Sequence, residues 1–163
     1  MPKKNLENNN DVKYDDLILR IVDSKKIFGI NNVYIFLNKN CQYYSLASAY
    51  ALEKYLTKIG FNVFLVLKGN VSLAQNFAFN KVINSKSIPV NSNNFIGVAI
   101  DCDEIDDIDN RAWNNSFILF EVKGSSHLNN YGVICFSSDD IICAAESIYA
   151  SIKKYEKRKN IKI

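Results

Sequence analysis

Histidine is almost missing from this chain: His127 is the single one in 163 residues. One imidazole cannot build a typical zinc site without cysteines. The four cysteines, Cys41, Cys102, Cys135 and Cys143, form no C-x-x-C pair. Each stands among apolar or strand-like neighbours, so all four are expected to be reduced structural thiols. Proline and glycine are also scarce, at 2 and 6 residues, and no Pro/Gly/Ser-rich linker divides the chain. Gly124-Ser125-Ser126 reads only as a loop between strands. No apolar run approaches the ~20 residues that span a bilayer, and the first ten residues lack the apolar core of a signal peptide. A cytoplasmic location without a membrane partner is expected. Neither G-x-G-x-x-G nor G-x-x-x-x-G-K-[ST] occurs, which removes the usual dinucleotide and P-loop readings. No serine stands in a G-x-S-x-G setting, and Cys41 as a nucleophile would need His127 folded beside it.

The hydrophobic fraction of 48% is enough for a core of several strands and helices. Asn, Ile, Lys and Tyr are abundant, as in the products of AT-rich coding genomes such as those of some phages and small bacteria. The net charge of +3 is a small difference between 20 basic and 17 acidic residues, so the distribution of charge is more informative. Acid gathers in Asp101, Asp103, Glu104, Asp106, Asp107 and Asp109, and base in Lys153, Lys154, Lys157, Arg158, Lys159 and Lys162.

Residues 1–10 carry too little apolar surface to offset the entropy of ordering and read as a mobile arm. From Asp11 to Asp23, Val12, Leu17, Ile18, Ile21 and Val22 recur at helical spacing. Val33-Tyr34-Ile35-Phe36-Leu37 is a strand by its β-branched and aromatic content. Ser45 is placed to cap a helix with Leu46, Ala49, Tyr50, Leu52, Tyr55 and Leu56 on one face, closed by Gly60. Strands are expected at Asn62–Leu67, Phe95–Asp101, Phe117–Val122 and Tyr131–Phe136. Ser72–Ile83 reads as a helix, and Asp139 or Asp140 can cap a last helix running to about Lys159. Alternating strands and helices predict an α/β fold: a doubly wound, mostly parallel sheet of about five strands with helices on both faces.

Ligands of such sheets bind at the carboxyl ends of the strands. After the first strand, Asn38 to Ser45 offers amides, a thiol and phenols but neither carboxylate nor histidine, a poor set for a hard divalent cation. After the third expected strand comes Asp101, from which the acidic cluster runs. Counted from Asp101, Ile105 and Asp106 fall where an EF-hand needs an oxygen ligand and glycine. The cluster therefore reads as a solvated loop or the first turn of a short helix. Asp101 itself either points into the cleft or caps the following turn. His127, in a polar loop, reads as a surface residue before a catalyst. Lys153, Lys157 and Arg158 suit phosphate contacts, with Tyr149 and Tyr155 for stacking, but read first as cations at the negative end of a helix dipole.

The order of these segments resembles the N-terminal domain of the DHH-family phosphoesterases, which include the RecJ exonuclease and the nano-RNases. The likeness rests on three stretches: Val33–Leu37 followed by Ser45-Leu46-Ala47-Ser48-Ala49-Tyr50-Ala51-Leu52; Val98-Ala99-Ile100-Asp101-Cys102-Asp103 with Arg111; and Phe120-Glu121-Val122-Lys123 with Cys143-Ala144-Ala145-Glu146-Ser147-Ile148-Tyr149. The resemblance implies phosphodiester hydrolysis by two manganese ions held by histidines and aspartates, which clamp the phosphate and activate water. At the family's H-x-x-x-D-x-D motif this chain has Asn38, Gln42 and Tyr44. At the signature motif Glu121 keeps a carboxylate, but Val122 and Lys123 replace two histidines. Only Asp101 survives clearly at a ligand position. The resemblance covers roughly Val12 to Lys154 and lacks the family's second, substrate-binding domain, so residues 11–163 are expected to form one domain. It implies a module without catalytic residues, metal or cofactor, serving assembly with a protein partner or with its own copies, or holding a nucleotide-type ligand in the cleft. The alternative is a divergent metal-dependent phosphodiesterase acting on short oligonucleotides or cyclic dinucleotides. Asp103, His127, Lys153, Lys157 and Arg158 are further candidates for binding, the last three toward nucleic acid.

Overall fold

The computed structural model describes residues 13–38, 43–67, 77–123, 126–136 and 143–161, apart from the side chains of residues 126, 127 and 161. Six strands form one sheet: β1 (Asn32–Leu37), β2 (Asn62–Leu67), β3 (Val82–Asn84), β4 (Phe95–Ile100), β5 (Ile118–Val122) and β6 (Ile134–Phe136). The helices are α1 (Leu17–Phe28), α2 (Tyr43–Lys58), α3 (Asn110–Asn115) and α4 (Ala144–Ile161). The strand order is β3-β2-β1-β4-β5-β6, and every pair is parallel. The fold class expected from the sequence is thus present, with one more strand than the five expected.

Alternation along the strands divides the core in two. Val33, Ile35, Leu65, Val98, Phe120 and Val122 share one cluster with α1, α2 and α4. Phe36, Val66, Ala99 and Leu119 share another with Ala112 and Trp113 of α3 and with Leu128 and Val133. Every residue of β4 is buried, as expected of a central strand covered on both faces. Gly97 lies there because a Cβ would meet Leu119 Cδ1 at 2.7 Å and Ser116 Cβ at 3.3 Å.

The element bounds depart from the sequence reading where tertiary contacts decide. The first helix begins at Leu17 rather than Asp11, with residues 13–16 in a turn closed by Asp16 N–H to Lys13 O, and Asp15 and Asp16 hold Lys154 of α4. It continues past Asp23 to Phe28, where Gly29 at φ 70° closes it with an N–H to Lys25 O. Residues 68–76, which include the first five residues of the helix expected over Ser72–Ile83, lie outside the described residues. Its end is instead β3, paired with Leu65, Val66 and Leu67 of β2. Before β3, Phe77 and Phe79 pack on Tyr50 and on each other, an aromatic cluster rather than a helical face. Tyr131 falls in a 3-10 turn (Ser126–Tyr131), so β6 begins three residues later than expected. The proposed caps Asp139 and Asp140 lie outside the described residues. Among the described residues no helix is long and apolar enough to cross a membrane.

Candidate functional site

The sheet order reverses between β1 and β4, and the carboxyl ends of strands at such a reversal are where parallel α/β folds form their ligand crevice; the strand termini and the start of α2 stand there. Asn38 follows β1, Asp101 follows β4 and Lys123 follows β5. Asn38 Nδ2 donates to the main-chain oxygen of Asp101 at 3.2 Å. Asp101 N–H donates to Val122 O at 3.0 Å, which extends the β4–β5 ladder by one bond. Asp101 and Lys123 both adopt left-handed backbone conformations, φ 58° and 68°. For L residues other than Asn, Asp and Gly that region costs roughly 1–2 kcal/mol. Lys123, at the end of β5, therefore carries backbone strain there, while Asp101 is one of the residue types that tolerate the conformation.

Asp101 does not cap the turn that follows it. Its Oδ2 accepts a 2.5 Å hydrogen bond from Ser45 Oγ. Ser45 is the third residue of α2 and buried, so the expected N-cap is instead an inward-facing hydroxyl. Burial raises the Asp101 pKa above the ordinary carboxylate value and Asp103 adds to the rise, while the Ser45 hydrogen bond and the Lys123 charge oppose it. The turn is closed by other groups. Asp107 Oδ2 accepts from the N–H groups of Asp103 and Glu104, and Asp109 Oδ1 caps α3 by accepting from Arg111 N–H. Two of the clustered acids, Asp107 and Asp109, thus fold the loop that carries them.

Glu121 keeps its carboxylate away from Asp101. It alternates with Val122 and so projects to the sheet face opposite α2, fully buried. There its Oε1 accepts from Cys102 N–H at 3.2 Å. Cys102 is buried; burial and then Glu121, Asp107, Asp101 and Asp103 all raise its pKa. Burial and Glu121 push the Cys135 thiol up to about 12. Cys102, Cys135 and Cys143 are free thiols, as expected; Cys41 lies outside the described residues.

The remaining candidates scatter. Val122 is a core residue on the α2 face, not a cleft residue. Tyr44 is largely exposed, and Asp103 is exposed beside the crevice. Gln42 lies outside the described residues, as does the side chain of His127, whose backbone is in the 3-10 turn before β6. Lys153, Lys157 and Arg158 are on α4. The Glu156 bond from Tyr55, near the end of α2, places the last turns of α4 at the amino edge of the sheet, opposite the crevice. Among the described residues no three His, Cys, Asp or Glu side chains converge as metal ligands. The structure therefore brings Asn38, Ser45, Asp101 and Lys123 together. Ser45 carried a legible signal: with Ser48, Leu52 and Leu56 it continues the buried stripe of α2 toward the helix start.

The chain matches none of the models of known protein families, and none of the curated proteins.

Proposed function

We propose that this chain is a non-catalytic DHH-like module whose crevice holds a nucleotide-type ligand and which acts as an assembly component alongside a protein partner. The observation that carries the reading is the Ser45–Asp101–Lys123 group at the reversal of strand order. A buried hydroxyl fixes one carboxylate, and near it stands the ammonium of Lys123, a residue whose own backbone is held in an unfavourable conformation. Asp101 accepts hydrogen bonds from sugar hydroxyls or base amines, and Lys123 meets a phosphate as a point charge. The separation of Asp101 and Glu121 onto different faces supports binding over two-metal hydrolysis, which needs several carboxylates or imidazoles on one pair of ions.

The test is calorimetric titration of the whole chain with a mononucleotide and a short oligonucleotide, with and without manganese. Binding that Lys123→Gly weakens about tenfold supports the reading. Hydrolysis of a short oligonucleotide or a cyclic dinucleotide on adding manganese would replace it by the divergent phosphodiesterase.

A further inference from the structure

The buried face of α4 comprises Ala144, Ser147, Ile148 and Ser151, with Ile152 and Tyr155 packed against the same core. On the opposite side, Tyr149, Lys153 and Lys157 follow one another at four-residue steps and are all exposed. Tyr149 is 63% exposed, and the Lys153 ammonium lies 5.4 Å from its ring centroid. The nearest carboxylates of α4 and of the segment before α1 are turned toward other groups. Glu156 accepts a hydrogen bond from Tyr55, while Asp15 and Asp16 are taken up by Lys154 at 3.0 and 2.5 Å. The outward face of the last three turns therefore presents cations without a carboxylate of α4 among them. Beside it, a cleft of about 280 Å³ between α1 and α4 is lined by Lys13, Arg20, Lys154 and Arg158, with Asp16 and Asp23.

We propose that this face of α4 binds single-stranded nucleic acid, with Lys153, Lys157 and Arg158 on the phosphates and the Tyr149 ring stacked on a base. A helix dipole explains cations in the last turn, but not an exposed aromatic ring two turns earlier in line with them. An exposed ring beside cations is the combination that single strands need: a sequence-tolerant stacking platform and a track for the backbone. The ligand is distinct from that of the crevice, since the two surfaces lie at opposite edges of the sheet.

Fluorescence anisotropy of a labelled oligothymidylate against the whole chain tests this. Binding should weaken steeply with salt. The Lys153→Glu, Lys157→Glu double variant should bind about tenfold or more weakly and lower the salt slope by about 1.4. Tyr149→Leu should cost about tenfold with the slope unchanged. Both sites are exposed, and circular dichroism of each variant checks that the fold is kept. Absence of binding at low salt, binding equal in the wild type and the double variant, or binding only to phosphatidylserine vesicles would each overturn the proposal.

Discussion

Asp101 combines a left-handed backbone with a half-buried carboxylate, and the two constraints can be separated by substitution. Asparagine tolerates that backbone and retains an oxygen for the Ser45 hydroxyl; alanine does neither. Asp101→Ala should therefore be about 1–2 kcal/mol less stable than Asp101→Asn in urea unfolding. The pH dependence also follows. A carboxyl whose folded pKa is raised binds more protons in the folded than in the unfolded state, so stability falls as pH rises from the ordinary value of 3.8 through the raised one. Unfolding curves of the wild type against Asp101→Asn should show the wild type losing relative stability across that window. The thiols give a second reading at this scale. With their pKa values raised by burial and by Glu121, Cys102 and Cys135 hold almost no thiolate at pH 8. Alkylation followed by mass spectrometry should modify them slowly in the native protein and rapidly once it is unfolded.

Among the elements, β4 has the least freedom. A methyl group added at Gly97 must displace Leu119, which is itself fully buried and cannot swing into solvent. Gly97→Ala should cost about 1–3 kcal/mol in chemical unfolding, and Gly97→Val more. The junction of α1 and α4 depends on charge instead. Burial disfavours the Lys154 ammonium, but hydrogen bonds and charges from Asp16 and Asp15 outweigh this and raise its pKa. That stabilisation is present at neutral pH and is lost as pH rises above the ordinary lysine value of 10.5 toward the raised one. Lys154→Met should lower stability by about 1 kcal/mol at pH 7, with the difference shrinking at alkaline pH. The elements that sequence reading recovered best were those with strong local periodicity: α2, β1, β2 and β4. It missed β3 because three residues carry no usable alternation, and their conformation comes from pairing with Leu65–Leu67. It placed the start of α1 too early because the bonds of Asp15 and Asp16 run to a residue more than 130 positions away.

Across the whole molecule, the candidate site was legible in position and only partly in content. Parallel strands joined by helices point to the strand ends as the place where ligands collect, and Asp101 was visible there as a carboxylate closing an apolar strand. Nothing local shows that Glu121 turns to the other face onto Cys102, or that the hydroxyl of Ser45 reaches across from α2, because both depend on how distant segments are stacked. The same scale explains why the two proposed ligands can be assayed apart: Lys123→Gly should leave oligothymidylate binding at α4 unchanged, measured by anisotropy, while weakening mononucleotide binding in the crevice.

The clasp between the first and last helices has a consequence for synthesis. Besides the Lys154 contacts, Ser147 Oγ donates to Tyr14 O across a separation of 133 residues, so α1 meets its partner only after that intervening length has been made. At about 5–20 residues per second that interval is on the order of ten seconds. Throughout it, the apolar stripe Leu17, Ile18, Ile21 and Val22 has no α4 to cover it, so that part of the core closes only after residues 144–161 have been made.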